Sequence, residues 1–159
     1  MNPYAADLGD RDCLSSLSST PARLRNLVAR MTPADLERPH APGKWTARQL
    51  LLHLAQAELA FSVRARMALT SDDYVVQPFD QDRWMALEGQ VAASEALGVY
   101  ETLRALNLAL FRALSAEDRA RTFQHPERGR MRVDEIPALL AGHELHHLAQ
   151  LEAIAGQAR

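Results

Sequence analysis

Two histidines four residues apart, His143 and His147, are the clearest candidates for chemistry in this sequence. On a helix this spacing places both side chains on one face, with Cβ atoms about 5–6 Å apart. Two neutral imidazoles arranged in this way can bind one divalent cation, each at about 2.0–2.1 Å. Imidazole suits Zn, Ni, Cu and Fe(II), so the spacing indicates a metal site without selecting the metal.

A third histidine, His53, lies in the apolar stripe of a different predicted helix, between Leu50 and Ala57. Each of the three histidines could be an ordinary core residue with a hydrogen-bond partner of its own. Without such a partner, a buried imidazole is costly. A metal ion shared by His53, His143 and His147 would satisfy all three side chains, and we therefore predict a three-histidine metal site.

Several neighbouring residues leave alternatives open. His146 lies about sixty degrees around the helix from His143, so it could compete as a ligand or support the site from a helix interface. Gln150 could touch a bound water or substrate, or it could simply pack. His40 and His125 stand beside prolines in predicted loops, and we expect both at the surface.

Residues 143–147 also match H-E-x-x-H, the signature of zinc metalloproteases, in which Glu144 would be the general base. The sequence after His147 lacks a third ligand at the distance those enzymes use, and no strand is predicted to hold a peptide. Glu144 lies about a hundred degrees from His143 on the helix, so we expect it at a helix interface and not on the metal face. These features argue against a protease.

The composition limits the possible functions. The chain has 159 residues, enough for one domain, and its net charge of -2 argues against an electrostatic nucleic-acid binder. Its single cysteine, Cys13, excludes a disulfide framework and a cysteine-rich metal site. The sequence has neither a signal-peptide pattern nor an apolar run of about 18 residues, so we expect a cytoplasmic protein that does not interact with a membrane.

The elements that must position the histidines are predicted to be helices, because leucine and alanine dominate and strand signals are almost absent. Four long helices are indicated, over residues 21–31, 46–69, 91–114 and 134–156. Thr46 and Gln49 form the pattern of a capping box at the start of the second helix. Short helical turns are expected near residues 33–36, 81–87 and after Ser115, with loops at 38–43 and 123–129.

These elements together predict an all-α protein, a four-helix bundle formed by residues 19–159. A long connection, residues 70–90, separates the second and third helices. Residues 1–18 are rich in serine, aspartate and glycine, and we expect them to form a loose N-terminal arm.

Four segments resemble the DinB/YfiT-like superfamily in the same order along the chain. PGKWTARQLLLHL at residues 42–54 resembles the start of its second helix, and GHELHHLAQL at residues 142–151 resembles its last helix. FDQDRW at residues 79–84 and HPERG at residues 125–129 resemble its two inner loops. The similarity spans residues 20–155.

The resemblance implies an up-down-down-up four-helix bundle, often a homodimer, with a divalent metal on His53, His143 and His147. It also implies that Trp45 is a structural aromatic residue at the helix entrance. Zinc or nickel is the expected metal. Known activities in the superfamily include S-transfer with low-molecular-weight thiols such as bacillithiol, and mycothiol-dependent isomerisation.

Two kinds of function remain open. Three protein ligands leave positions free on the metal, as in catalytic sites. A coordinated thiol would lose its proton and attack a small electrophile, which predicts a thiol S-transferase with a thiol cofactor; coordinated hydroxide would give a hydrolase. Arg64 and Arg83 could hold an acidic cofactor, or each could form an ordinary salt bridge. The alternative is a non-catalytic metal-binding bundle that acts in stress response.

Overall fold

The computed structural model describes residues 2–156. In chain order these residues form α1 (Ala5–Leu8), α2 (Cys13–Val28), α3 (Pro33–Leu36), α4 (Ala47–Thr70), α5 (Gln81–Glu88), α6 (Ala93–Ala113), α7 (Ala116–Ala120), β1 (Thr122–His125), β2 (Gly129–Arg132) and α8 (Glu135–Gly156). The two strands form one antiparallel hairpin, and the long helices α2, α4, α6 and α8 form the bundle.

The residues of two apolar clusters inside the bundle show in which direction each long helix runs. One cluster contains Leu17, Phe61, Phe111 and Leu140, and the other contains Leu24, Leu51, Tyr100 and Leu151. Helices α2 and α8 therefore run from the first cluster to the second, whereas α4 and α6 run from the second to the first. This is the up-down-down-up arrangement, so the predicted all-α four-helix bundle is confirmed.

The connection between α4 and α6 must return along the bundle because these two helices are parallel. Residues 71–92 make this crossover, and α5 is part of it. At its start the Val76 amide donates to the Gln124 carbonyl at 2.8 Å, and the Gln124 amide donates to the Tyr74 carbonyl at 2.9 Å. These bonds join the crossover to the hairpin beside α4.

The helix starts at Thr46 and near residue 134 agree with the sequence. Thr46 accepts from the Gln49 amide, and the Gln49 side chain accepts from the Thr46 amide, so the predicted capping box is present. Helix α6 begins at Ala93 and α8 at Glu135, within two residues of the predicted positions.

The first long helix begins eight residues earlier than its predicted start. Asp12 caps it by accepting from the Ser15 amide at 2.8 Å, and Leu17 is fully buried. Pro21 lies inside the helix and has no N–H for the Leu17 carbonyl, which instead accepts from Arg104 Nη1 at 3.0 Å. Residues 5–8 and 13–18, expected in a loose arm, are therefore helical.

The segment predicted as a loop at residues 123–129 is mostly a hairpin. Phe123 and Met131 are paired across it and are both buried against the first apolar cluster. Gly129, with φ of 74°, follows the turn. His125 is consequently buried, so the expectation that it lies at the surface is wrong.

A buried ionic cluster joins the four long helices. The Arg104 guanidinium of α6 donates to Glu58 Oε1 of α4 at 3.1 Å and to Glu144 Oε2 of α8 at 2.7 Å, besides its bond to α2. Asn107 donates to the other oxygen of Glu58 at 2.8 Å. Charged groups enclosed in this way require such partners.

No helix in the part of the chain described here combines the length and the apolar character needed to cross a membrane.

Candidate metal centre

The structure brings the three predicted histidines together, although His53 lies 90 residues before His143. His53 is on α4, and His143 and His147 are one turn apart on α8. His143 Nε2 is 2.9 Å from His53 Nε2 and 3.1 Å from His147 Nε2. All three side chains are buried.

This donor set fits a divalent cation. Metal–nitrogen bonds of about 2.0–2.1 Å put neighbouring ligand nitrogens about 2.9 Å apart in octahedral geometry and about 3.4 Å apart in tetrahedral geometry. The two distances measured from His143 Nε2 match this range. Two facing imidazole nitrogens can share only one proton, so His143 Nε2 cannot satisfy both neighbours equally as a hydrogen-bond partner.

Burial keeps these imidazoles uncharged. Desolvation, followed by the charge of His147, lowers the pKa of His53 to about 3. Desolvation also lowers the pKa of His147 to about 4 and that of His143 well below its usual value. The neutral form that prevails at neutral pH is the one that binds metals.

Surrounding side chains orient the rings. The Gln150 side-chain oxygen lies 2.8 Å from His147 Nδ1, so Nδ1 carries the proton and the Nε2 lone pair is directed at the other two rings. Trp45 packs 4.7 Å from His53 between ring centroids, and Tyr4 packs 5.1 Å from His143. Gln150 therefore has a defined contact with the site, and Trp45 packs at the helix entrance.

His146 does not join the three histidines. Its Nδ1 lies 3.4 Å from Asp7 Oδ1 of α1, and its Nε2 accepts from the Gln150 amide nitrogen at 3.2 Å. His146 therefore connects Asp7 of α1 with Gln150, one turn further along α8. His40, on the loop before α4, is half-buried and is likewise outside the group of potential ligands.

Glu144 faces the bundle interior and not the histidines. It is bound to Arg104, and burial raises its pKa well above the usual value, followed by the effect of Glu58. A general base of the H-E-x-x-H type must reach a ligand of the metal. The position of Glu144 therefore agrees with the predicted helix interface and not with a protease.

A cavity of about 210 Å³ opens beside the histidines. His53 and His143 form one part of its wall, and the remainder comes from α4, the crossover, the hairpin, α8 and Tyr4. The lining residues are Tyr4, His53, Ala57, Phe61, Arg64, Pro78, Phe79, Gln81, His125, Glu127, Arg128, Leu139 and His143. No serine, threonine, cysteine or lysine is among these described residues.

A larger groove of about 620 Å³ adjoins this cavity and shares Arg64, Pro78 and Phe79 with it. Its other walls are mainly apolar and include Leu59 and Trp84. Of the two arginines singled out in the sequence, Arg64 lines both spaces, whereas Arg83 lines only the groove.

Tyr4, His125 and Arg128 line the cavity but were not identified as site residues from the sequence. Arg128 and His125 belong to the HPERG segment, which was noted only as a resemblance to an inner loop. Tyr4 gives no local signal, because it reaches the site only through the packing of α1 against α8. Segments distant in sequence thus complete the cavity.

The family model of the DinB superfamily matches residues 16–151. A candidate metal-dependent hydrolase of Oceanobacillus iheyensis is 30% identical over 142 residues, which cover 89% of this chain and 83% of that protein. YfiT of Bacillus subtilis, also named as a candidate metal-dependent hydrolase, is 30% identical over 138 residues, 85% of this chain and 78% of YfiT.

Solved structures show the same fold. The structure of Bacillus subtilis YfiT, described as an unusual four-helix bundle, matches 92% of this chain and 85% of YfiT with a TM-score of 0.85 and 28% identity. A mycothiol-dependent maleylpyruvate isomerase matches with a TM-score of 0.70 and 17% identity. The match covers 95% of this chain but only 63% of the isomerase.

Proposed function

The chain belongs to the DinB superfamily, and from this premise we propose that it is a metal-dependent enzyme whose divalent cation is bound by His53, His143 and His147. The observation that carries the proposal is the convergence of three neutral imidazoles at the wall of a cavity. Three protein ligands leave room for a further ligand on the cavity side.

Zinc or nickel is the cation that we propose, since both accept nitrogen ligands. A bound cation of this kind supplies Lewis acidity, which favours loss of a proton from a coordinated water or thiol at neutral pH. The surrounding side chains would hold the three imidazole rings in place. Phe61, Phe79 and Leu139 in the cavity wall would keep bulk water away from the site.

Hydrolysis of a small substrate is the reaction that we place first. The relatives in Oceanobacillus iheyensis and Bacillus subtilis bear the name of metal-dependent hydrolases. The cavity lining also lacks a serine or cysteine nucleophile among its described residues. The nucleophile must then come from solvent or from a co-substrate.

Transfer of a low-molecular-weight thiol such as bacillithiol to an electrophile is the second candidate. The adjoining groove favours it, because a cavity of about 210 Å³ is small for a thiol cofactor together with its acceptor, whereas the groove adds about 620 Å³. Arg64 stands where the two spaces meet. A closed structural site, as in a non-catalytic stress-response bundle, would not need such an opening.

Metal analysis of the purified protein tests the ligand set. Wild-type protein reloaded with zinc is expected to hold about one equivalent, and His53→Ala well under half of that, because two imidazoles on one helix bind a cation more weakly than three. Glu152→Ala is the control on α8 and should retain the wild-type content, because Glu152 is exposed and belongs neither to the ligand group nor to the cavity wall. Equal zinc in the wild-type protein and His53→Ala would contradict the proposal.

Activity assays separate the two reactions. Metal-free, zinc-loaded and nickel-loaded protein would be tested with nitrophenyl esters and anilides, and separately with bacillithiol and a chlorodinitrobenzene acceptor. We expect metal-dependent turnover in the first set; turnover in the second set alone would favour thiol transfer. Protein that binds one metal but turns over neither set would support the non-catalytic alternative.

A further inference from the structure

The cavity beside the histidines carries an excess of positive charge. Arg64 from α4 and Arg128 from the hairpin turn both line it, and Glu127 is the only carboxylate among the described lining residues. Two guanidinium groups and one carboxylate leave one net positive charge, without counting a metal ion. A neutral substrate would leave this positive charge without a counterion.

Glu127 lies in the same cavity wall but forms no salt bridge with either arginine. Among the described residues, neither has a carboxylate within salt-bridge distance, although several other arginines do. Arg128 Nη1 is buried and has no hydrogen-bond partner there. The Arg64 guanidinium lies over the rings of Phe61 and Phe79, at 5.2 and 5.6 Å, and makes one long bond of 3.4 Å to the Gln77 carbonyl.

Guanidinium N–H groups without an ion-pair partner at a cavity wall indicate an anionic ligand. Arginine forms paired hydrogen bonds with planar carboxylates, which would use the free N–H groups of both side chains. Burial is the main cause that lowers the pKa of Arg64; Arg128 adds to this shift, whereas Tyr74 and Glu127 oppose it. An anion between the two guanidinium groups would relieve the repulsion between them.

His125 adds a third donor to the same wall. Its Nδ1 accepts from the Glu127 amide at 3.2 Å, so the proton of the neutral ring is on Nε2. Burial first, then Arg128 and Arg64, lower the pKa of His125, which keeps the ring neutral. The ring therefore offers an N–H group without adding charge.

We propose that the substrate of this site is a small carboxylic acid, whose carboxylate binds Arg64 and Arg128 while its reactive group lies towards His53 and His143. The volume of about 210 Å³ is below the roughly 300–1,000 Å³ of pockets for drug-sized ligands. In the metal-free protein, the single net positive charge matches a monoanion better than the dianion of a phosphate ester. The position of the reactive group rests on the proposed function, whereas the carboxylate site does not.

Calorimetric titration of benzoate into metal-free protein tests this site without relying on activity. Benzamide is the neutral isostere, and phenyl phosphate is the competing anion. Benzoate is expected to bind about tenfold or more tightly than benzamide, because charge-assisted hydrogen bonds contribute about that much affinity. Equal binding of benzoate and benzamide, or tighter binding of phenyl phosphate, would overturn the proposal.

Two variants connect the binding to the arginines. Arg64→Gln and Arg128→Gln are each expected to weaken benzoate binding about tenfold and to leave benzamide binding unchanged. Arg130→Gln is the matched control, because Arg130 lies on the same hairpin, is exposed and is absent from the cavity wall. Arg128 is in a turn, so its variant should fold even if Arg64→Gln does not.

The outcomes also separate this proposal from the proposed function. Benzoate binding that depends on both arginines, in protein that shows no metal-dependent turnover, would support the carboxylate site and count against the enzyme. Unchanged benzoate binding in Arg128→Gln would overturn the carboxylate site and leave the metal centre untouched.

Discussion

A single amide side chain determines which nitrogen of His147 is available to a metal. Gln150 Oε1 accepts from His147 Nδ1 at 2.8 Å, while Gln150 Nε2 donates to His146 at 3.2 Å. The amide is thus held from both ends, and it fixes the tautomer and the ring orientation of His147. Groups of this kind behind a metal ligand support affinity as well as geometry.

Replacing Gln150 by leucine is therefore expected to lower zinc affinity about 10–100-fold, since the acceptor for His147 Nδ1–H is lost. Competition with a chromophoric chelator would measure the change. Gln150→Glu keeps an acceptor at the same place and is expected to retain most of the affinity. If the leucine variant bound zinc as tightly as wild type, Gln150 would have only a packing role.

At the scale of elements, α1 lies against α8 at one glycine. A Cβ atom on Gly142 would lie 2.4 Å from the Tyr4 carbonyl oxygen and 2.8 Å from the Tyr4 Cβ atom. The position next to the ligand His143 must therefore be free of a side chain for α1 to pack there. This packing brings Tyr4 into the cavity wall.

Gly142→Ala is expected to destabilise the protein and to displace α1, although alanine is the better helix former. Hydrogen exchange of residues 2–8 should increase, and urea unfolding should show a loss of about 1–3 kcal/mol, typical of overpacking. Gly98→Ala in α6 is the control: nothing lies within 4 Å of the new methyl group, so a gain of about 0.5–1 kcal/mol is expected. A similar gain for Gly142→Ala would contradict the close contact.

The ionic cluster around Arg104 joins α2, α4, α6 and α8. Replacing Arg104 by methionine leaves Glu58 and Glu144 facing each other without a cation, so we expect a loss of about 3–5 kcal/mol in the free energy of unfolding. Arg112→Met on the same helix is the control, because Arg112 is exposed and donates to the Ser18 hydroxyl at 3.2 Å, outside the ionic cluster. Denaturant unfolding of both variants measures the difference, and equal stabilities would argue against this role for the cluster.

For the whole molecule, the buried histidines make folding depend on pH. The pKa values of about 3 for His53 and about 4 for His147 are below the ordinary value of 6.5, so the unfolded chain binds more protons between these limits. Stability conferred by the neutral rings is complete above pH 6.5 and is lost progressively as pH falls. The raised pKa of Glu144 acts in the opposite direction.

Metal-free protein is therefore expected to be less stable at pH 5 than at pH 7.5, by up to about 2 kcal/mol for each of these two histidines. Urea unfolding at the two pH values measures the difference. In His53→Asn the loss on acidification should be smaller by about the contribution of one histidine. The same pH dependence in wild type and variant would contradict the assignment of the effect to His53.

The homodimer implied by the family resemblance stays a prediction. Light scattering coupled to gel filtration should give about twice the 17.7 kDa of one chain, the usual two-fold assembly of soluble proteins. A mass of one chain at micromolar concentration would contradict it.

The sequence determined those features that depend on neighbouring residues. The capping box at Thr46, the helical spacing of His143 and His147, and the apolar periodicity of the long helices are all local, and each of these features is present in the structure. The position of His53 on an apolar stripe was also enough to suggest that it meets the other two. The bundle and the grouping of the three histidines thus follow from the sequence.

Tertiary structure decided what depends on contacts between distant segments. Helix α2 passes through Pro21, and Arg104, on another helix, binds the carbonyl of Leu17 that the proline leaves free. The hairpin is stabilised because Phe123 and Met131 pack against the first apolar cluster. Tyr4 and Arg128 line the cavity only once α1 packs at Gly142 and the hairpin joins the crossover. Local periodicity contains no information about such pairings, because their free energy comes from surfaces that meet only after the chain has folded.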